Sequence, residues 1–476
     1  MFPRQMTKEH QLDALVNSPA PSKGLPFDGD LPLDAPFRPT LTGQPAVLIV
    51  SGCASHPSEG GNRRRLFNLA AMLRQIGWRP VLLYTDYLPG DFAAMRQWWG
   101  EDFYYQPYRP GSLKWMMKRL SRRCALEHGR LRSWHRSRLY NWGSGNPQED
   151  AATARIPVDN YYEPALDPVI DELHRRYKFQ AVIAQFVIMS RALLRFPGGD
   201  VKRLIDTHEV FALGDAWKTA APSKLWLRIS PEDEKTALRR ADSAIAIQHH
   251  DAATLRREGI AAGVLGHPVE VVRDVRAADA LGSGTILFVS RGHPFDVAGL
   301  EWFAREVYPL LAAWLRPEQV VVAGMIKDVM NPRPPFRFLG RVADLPDLYA
   351  RNRVVMAPLH EGTGLKIKVV EALGYGKALV ATPFAALGVE EGAGAAFVVA
   401  PTARDFAAAL QRLLKDDREC IRLMEGALAF ARHWNKEQAL ALKSVLAMPL
   451  GITGKAGEFA ESGPFEQEVQ AQGAYS

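Results

Sequence analysis

Short apolar runs recur along this chain, and each is followed by a turn and an amphipathic segment. PAVLIVSG at 45–52 is an apolar run closed by glycine, which is typical of a strand buried on both faces of a parallel sheet. NRRRLFNLAAMLRQIG at 62–77 has apolar residues at helical spacing and a glycine where the helix should end. WRPVLLYTD at 78–86 is the next predicted strand. This order of elements predicts a βαβ unit.

The same alternation continues and divides the chain into two halves. We expect one doubly wound domain over 44–265 and a second over 284–430, joined by a linker at 266–283 and followed by a helix at 431–450. The predicted fold class is α/β, with two Rossmann-like domains that face a cleft at the carboxyl ends of their strands. The further predicted strands lie at 179–186, 202–209, 242–248, 284–292, 319–325, 336–340, 353–359 and 377–383.

Both ends of the chain lack this periodicity. Residues 1–43 are rich in Pro, Asp and Gly, and 451–476 have a similar composition, so we expect a flexible extension and a flexible tail. The first residues do not have the apolar core of a signal peptide, and no apolar run approaches the roughly 18–20 residues needed to span a bilayer. A cytoplasmic location is expected, with possible peripheral contact with the inner face of the membrane.

The charge indicates an anionic partner without selecting one. The 476 residues carry a net charge of +7, with an isoelectric point near 9.2, which suits nucleic acid, an acidic membrane or a phosphorylated substrate. The three cysteines are few, odd in number and far apart, so neither a disulfide framework nor a zinc site is implied.

The most informative stretch is EGTGLKIKVVE at 361–371. Gly362 and Gly364 allow close approach of the backbone, and the start of the helix expected there offers N–H groups to an anion. Lys366 and Lys368 add positive charge, and Glu371 could accept hydrogen bonds from a ribose diol. A nucleoside diphosphate site is one interpretation. The residues alone equally allow a plain turn with a surface pair between a lysine and a glutamate three positions apart.

HEGTGLKIKVVEALGYGKALVATPFAALGVE also resembles the donor-site signature of retaining GT-B glycosyltransferases of family four, the "glycosyl transferases group 1" type. The resemblance covers about 45–445 and includes segments in the same order: SEGGNRRRLFNLAAML, LIDTHEVF, ADSAIAIQHHDAATLR, ILFVSRGHPFDVAGLEWFAREVYPLL and FRFLGRVADLPDLYARNRVVMAPL. It implies a GT-B architecture and transfer of a sugar, in the manner of a hexosyltransferase, from a nucleotide diphosphate sugar to a hydroxyl of a glycolipid, polysaccharide or glycan, with retention.

The resemblance also implies roles for individual residues. His208 would lie near the donor sugar, Lys368 by the diphosphate and Glu371 at the ribose, and these three form the expected catalytic set. Val342 would lie by the base. The donor-binding set implied by the resemblance is Gly60, Gly61, Arg291, Val342, Glu361, Gly362, Thr363, Gly364, Leu365 and Lys366.

Two departures from the family pattern concern the donor sugar. The family has another glutamate eight residues before the position of Glu371. In this chain Thr363 stands at that position, and Glu361 is two residues too early. The family often places a lysine five residues after the arginine that matches Arg291, and here that residue is Asp296. Lys366 is expected to supply the missing charge.

No metal and no cofactor are expected, because cations and helix N-termini can stabilise the departing diphosphate. The one Asp-x-Asp motif, DGD at 28–30, lies in the N-terminal extension.

The segment 109–142 is strongly basic, with ten Lys or Arg, a single acidic residue and three interleaved tryptophans. It fits an anionic membrane surface or a lipid-linked acceptor, and equally a solvated insertion whose tryptophans pack on the domain. A nucleic acid partner is disfavoured.

Two other functions stay open: another GT-B enzyme such as a nucleotide-sugar epimerase, and a non-catalytic GT-B-shaped protein that binds a nucleotide or glycan or docks on a membrane. The absence of a glutamate at position 363 favours the non-catalytic hypothesis, and the presence of both Lys368 and Glu371 opposes it.

Overall fold

The computed structural model describes residues 43–57, 60–85, 90–107, 157–214, 227, 229–272, 281–342, 344–362 and 364–447. The predicted N-terminal extension (apart from Gly43), the C-terminal tail and the basic segment 109–142 lie outside the described residues.

The first half forms a parallel sheet of seven strands in the order β3-β2-β1-β4-β5-β6-β7. An inner strand, from the run AVLIVS, is buried at every position, as expected for a strand covered on both faces. The strands are β1 Ala46–Ser51, β2 Arg79–Tyr84, β3 Phe103–Tyr105, β4 Ala181–Gln185, β5 Lys202–Asp206, β6 Ser243–Ala246 and β7 Ala262–Val264.

Helices cover both faces of this sheet. The described α-helices of the first half are α1 Gly61–Gln75, α2 Phe92–Trp99, α3 Leu166–Tyr177, α4 Pro231–Leu238 and α5 His249–Arg257. The 3₁₀ segments are Gly100–Asp102, Val158–Tyr161 and Val187–Arg195.

The second half repeats the arrangement with a six-stranded parallel sheet in the order β10-β9-β8-β11-β12-β13. Its strands are β8 Ile286–Val289, β9 Val320–Ala323, β10 Arg337–Gly340, β11 Val354–Ala357, β12 Ala378–Ala381 and β13 Val398–Val399. Its α-helices are α6 Pro294–Trp302, α7 Tyr308–Leu311, α8 Ile326–Val329, α9 Leu345–Ala350, α10 Ile367–Gly374, α11 Ala403–Lys415 and α12 Asp417–Ala447. A π-helical turn, Phe303–Val307, joins α6 to α7, and 3₁₀ turns occupy Pro317–Gln319 and Glu390–Gly392.

The α/β class and the two Rossmann-like domains are therefore confirmed, while several boundaries differ from the pattern. The sequence did not predict β3, β7 or β13, which are only two or three residues long and too short to show alternation. The strand expected at 202–209 ends at Asp206, so His208 lies in the loop that follows. The final helix begins at Asp417 rather than at 431.

Helix α12 connects the two halves. Its first turns, including Leu423, pack in the core of the second half, and its last turns, including Leu442, pack in the core that contains β1 and α1. Between them, Asn435 accepts a hydrogen bond from the backbone N–H of Val269 and donates one to its carbonyl, at 2.9 and 2.8 Å. The side chain of Gln438 accepts from the N–H of Gly266. The helix thus holds the connection between the domains in place.

In the part of the chain that the structure describes, none of the helices has both the length and the apolar composition needed to cross a bilayer.

Candidate functional site

The carboxyl ends of the two sheets meet at a closed cleft. A Cβ added to Gly60, at the start of α1, would lie 1.6 Å from the Nη1 atom of Arg291, in the loop after β8. A Cβ on Gly61 would lie 2.7 Å from the Cδ1 atom of Ile367. The first domain therefore approaches the second so closely that a side chain at either position would have to displace Arg291 or Ile367, and the φ of 100° at Gly60 favours glycine there. The predicted glycine loop and Arg291 are brought together.

The stretch 361–371 forms the loop after β11 and the first turn and a half of α10. The helix begins at Ile367. Gly364 has a φ of 56°, which favours glycine, and a Cβ there would lie 3.4 Å from the carbonyl oxygen of His208. The loop after β11 is therefore in contact with the loop that carries His208. Thr363, the residue in the family's glutamate position, lies outside the described residues.

Lys366 is buried at this loop rather than extended into open space. Its Nζ donates to the carbonyl of Gly364 at 2.5 Å and lies 4.5 Å from the ring centroid of Phe384. Burial lowers the pKa of Lys366 to about 8, and the nearby carboxylate of Asp251 opposes that shift. The lysine is therefore a cation near neutral pH that loses its charge in mildly alkaline solution.

Lys368 pairs with a residue of another element. Its Nζ forms an ion pair with Asp296 Oδ1, in the first turn of α6, and the lysine side chain is 21% exposed. The other carboxylate oxygen of Asp296 accepts a hydrogen bond from Ser290 Oγ at 2.7 Å. Lys368 therefore pairs with Asp296 rather than with Glu371, the surface pair that the sequence allowed, and Glu371 bonds to Tyr349.

Glu371 lies on the face of α10 that meets the first domain. Its Oε2 accepts from the hydroxyl of Tyr349 at 3.3 Å, and the ring of Tyr349 stacks on that of Tyr375 at 4.5 Å. Burial raises the pKa of Glu371, and Arg64 of α1 acts in the opposite direction. Arg64 also lies 3.9 Å from the carboxylate of Glu270. The predicted ribose carboxylate thus lies in a polar pocket to which both domains contribute.

The pocket beside Glu371 contains polar atoms with unmet hydrogen-bonding capacity. Asn68 Oδ1 and His267 Nδ1 are buried without a hydrogen-bond partner. Such atoms are expected to bond to water or to a ligand. The lining residues are Arg64, Asn68, His267, Val269, Glu270, Glu371 and Tyr375.

His208 has a left-handed backbone, with a φ of 55°, and a buried side chain. Phe186 stacks on its ring at 4.0 Å. The side-chain nitrogen of Gln185 donates to Asp206 at 3.0 Å, so its oxygen, 2.5 Å from His208 Nε2, accepts the imidazole proton. Burial lowers the pKa of His208 to about 4, so the ring is neutral at physiological pH. With Nε2 protonated, Nδ1 is the acceptor of the ring.

The histidine is supported by a buried ion pair. Arg65 donates to both carboxylate oxygens of Asp206, at 2.7 to 3.0 Å, and both side chains are at most 1% exposed. Burial by itself would raise the pKa of Asp206, but Arg65 and His208 lower it below its ordinary value. The carboxylate is therefore charged and holds the Gln185 amide in the orientation that fixes the tautomer of His208.

The remaining predicted donor residues surround this centre. Glu361 and Gly362 lie in the loop after β11, and a Cβ on Gly362 would be 3.6 Å from the side chain of Lys366. Val342 follows β10 and packs on the core of the second domain. Leu365 is buried in the same core, so its side chain anchors the loop, and any contact with a ligand would come from its backbone.

The partners of the predicted site residues were not indicated by the sequence. They are Asp296 for Lys368, Tyr349 for Glu371, and Gln185 and Asp206 for His208. Two of these carried a usable signal. Gln185 and Asp206 are the last residues of neighbouring parallel strands, and side chains at such ends meet at one edge of the sheet. Tyr349 carried no comparable signal, because its contact depends on how α9 packs against α10.

Among the described residues, no group of three or more His, Cys, Asp or Glu side chains is arranged to hold a metal ion.

Comparison with known proteins gives a family match for the second domain and a fold match for most of the chain. Residues 283–416 match the family model described as Glycosyl transferases group 1. No curated protein matches the chain.

Solved structures of the same fold cover most of the chain at low identity. TarM matches with a TM-score of 0.57 and 10% identity, over 86% of this chain and 99% of that chain. Sucrose-phosphate synthase from Thermosynechococcus elongatus matches with a TM-score of 0.54 and 15% identity, over 84% and 98%. Anabaena HepE in complex with UDP matches with a TM-score of 0.50 and 15% identity, over 84% and 100%. The fold is that of the GT-B glycosyltransferases.

Proposed function

We propose that this protein is a glycosyltransferase that moves a sugar from a nucleotide diphosphate sugar to a hydroxyl acceptor, with retention and without a metal ion. The observation that carries the proposal is the convergence of three cationic side chains, Arg291, Lys366 and Lys368, with the start of α10 at the closed cleft. The match of residues 283–416 to a glycosyltransferase family supports it.

The chemistry of the departing group explains why cations are needed there. When the bond between the sugar and the diphosphate breaks, negative charge develops on phosphate oxygens, and fixed positive groups stabilise it without having to reorganise. The start of α10 lies between Lys366 and Lys368, and its free N–H groups and helix dipole would add to the effect of these cations. Glu371 accepts hydrogen bonds from the ribose diol in this scheme, as the resemblance implies.

His208 has the role of a hydrogen-bond acceptor in this proposal. Its neutral ring presents Nδ1 as an acceptor, because Nε2–H is committed to Gln185. It is therefore suited to accept a hydrogen bond from a hydroxyl of the donor sugar. A protonated imidazole would lose that capacity.

The acceptor and the cellular location also belong to this proposal. A glycan, polysaccharide or lipid-linked acceptor would enter from the first domain, and segment 109–142 would contact an anionic membrane, which makes the protein a cytoplasmic enzyme peripheral to the membrane. The donor base is not assigned by the residues. Because HepE of the same fold binds UDP, UDP-sugars are the first donors to test.

The test uses the full chain and two variants made separately, Lys368→Ala and Glu371→Gln. We expect wild-type protein to bind a nucleoside diphosphate from a panel of UDP, GDP, ADP and dTDP, and to hydrolyse or transfer the corresponding sugar. Lys368→Ala should lower kcat by roughly 100-fold, the scale of losing one preorganised charge-stabilising group. Glu371→Gln should mainly raise KM, because the ribose contact is the same in substrate and transition state.

An exposed lysine of helix α12, Lys436, provides the control, and Lys436→Ala should leave turnover unchanged. Nucleotide binding without any turnover would support the non-catalytic binding protein instead. Normal turnover in both site variants would overturn the site assignment. The anomeric configuration of the product, read by NMR, tests retention.

A further inference from the structure

Asp296 occupies a place where the family resemblance leads one to expect a lysine, and its surroundings show what it contacts. It lies in the first turn of α6 and is 8% exposed. One carboxylate oxygen pairs with Lys368, and the other accepts from Ser290 Oγ. Both oxygens are therefore bonded, each to a different element of the second domain.

Ser290 connects this carboxylate to the loop that carries Arg291. Its hydroxyl has one proton, which it donates to Asp296, and it accepts the backbone N–H of Gly292 at 2.9 Å. Gly292 has no room for a side chain, since a Cβ there would lie 2.6 Å from the side chain of Val329 and 3.1 Å from the Cα atom of Ile326. Arg291, between these two residues, extends to Gly60 of the first domain.

One carboxylate thus restrains two cations. It restrains Lys368 by direct contact and Arg291 through the two hydrogen bonds of Ser290. A lysine ammonium has three donors, and the contact with Asp296 uses one of them, which sets the direction of the other two. A lysine held in this way needs less reorganisation when negative charge develops on the departing phosphate oxygens.

We propose that Asp296 is a positioning residue that orients Lys368 and the Arg291 loop toward the diphosphate as it departs. This inference rests on the proposed function and adds to it the anchor of the cations. Position 296, where the resemblance implies a further lysine, supplies an acid that holds Lys368 of α10 in place.

The test compares wild type, Asp296→Asn, Lys368→Gln and the double variant, using the UDP-sugar or other donor that wild type turns over. Asp296→Asn should lower kcat by roughly 10- to 100-fold, as does loss of other groups that orient a catalytic side chain. The affinity for the nucleoside diphosphate product should change by less than about threefold, since the cations remain present but are no longer held. The double variant should be no slower than the slower single variant, because the two residues act as a unit.

Two further variants separate positioning from folding. Ser290→Ala removes both hydrogen bonds of the Ser290 hydroxyl but leaves the ion pair of Asp296 with Lys368. It should lower kcat by about 3- to 10-fold, less than loss of the ion pair, and it serves where Asp296→Asn does not fold. Asp347→Asn removes an exposed ion pair with Arg351 in the same domain and should leave kcat unchanged.

Three results would overturn the inference: unchanged kcat in Asp296→Asn, an equal loss of kcat and product affinity, or losses that multiply in the double variant. If wild type turns over no nucleotide sugar at all, the proposed function fails and this inference fails with it. If wild type is active and Asp296→Asn retains kcat, the inference alone fails.

Discussion

At the scale of single residues, the site depends on ionisable side chains whose pKa values are shifted by burial. His208 is kept neutral by burial, and its tautomer is set by Gln185. Lys366 stays cationic near neutral pH, but with a lowered pKa. Lys368 is held by an ion pair with Asp296. His208 and Lys366 are expected to respond to pH in different ranges.

Lys366 should give donor binding an alkaline limit. Because the pKa of Lys366 is lowered to about 8, the cation is present below that pH and is lost above it. We expect affinity for the nucleoside diphosphate to fall by roughly tenfold between pH 7.5 and 9.5, the loss of one charge-assisted hydrogen bond. Calorimetric titration across this range measures it. Lys366→Arg should bind equally at both ends, since arginine stays protonated. A fall of the same size in Lys366→Arg would assign the effect to another group.

At the scale of elements, the closed cleft depends on two helices from different domains that approach at their first turns. Gly60 and Gly61 open α1, and Ile367 opens α10. Gly61 is helical, so a side chain there would not strain the backbone but would meet Ile367 Cδ1. A side chain at position 61 would thus require Ile367 to move when the domains close, whereas helix formation does not need glycine there.

Gly61→Ala should weaken donor binding, although alanine favours a helix by up to about 1 kcal/mol relative to glycine. Overpacking of a tight contact costs about 1–3 kcal/mol, which corresponds to roughly a tenfold loss of affinity. The additional change Ile367→Val removes the clashing Cδ1 atom and should restore most of that affinity. Binding isotherms of the two single variants and the double variant test this. Equal affinity in wild type and Gly61→Ala would mean that closure does not require the contact.

At the scale of the whole molecule, α12 makes the two domains dependent on each other. It runs through the cores of both halves and binds the backbone of the connection at 266–269 along its middle. A rigid connection of this kind fixes the relative position of the two sets of site residues. The cleft geometry is therefore a property of the C-terminal helix as well as of the loops.

Asn435→Ala should loosen the connection between the domains. It leaves the N–H and carbonyl of Val269 without partners, and each unpaired buried group costs about 1–3 kcal/mol. We expect a lower melting temperature and faster hydrogen exchange at the Val269 amide. The neighbouring Lys436→Ala, at an exposed position, should change neither. Unchanged exchange at Val269 in Asn435→Ala would show that the connection is held by other contacts.

Much of the fold could be predicted from the sequence, because its cause is local. Apolar runs at 45–52 and 353–359 are buried on both faces of parallel sheets, and this burial leaves a pattern that can be read directly. The two- and three-residue edge strands could not be found, since they are shorter than any period. The start of the long final helix was predicted too far along the chain, because its first turns pack in the core of the second domain and resemble the last element of that domain.

The sequence by itself determined which residues are chemically suited to the site: the glycines, the two lysines, Glu371 and His208. Only the tertiary structure decided their partners. Whether Lys368 faces Glu371 on its own helix or Asp296 on another depends on packing between elements far apart in the chain. The same holds for Gly60 and Arg291, which meet only when the two domains close. Local patterns record burial and turn formation, whereas contacts across a cleft depend on the relative orientation of whole domains, which no short stretch of sequence encodes.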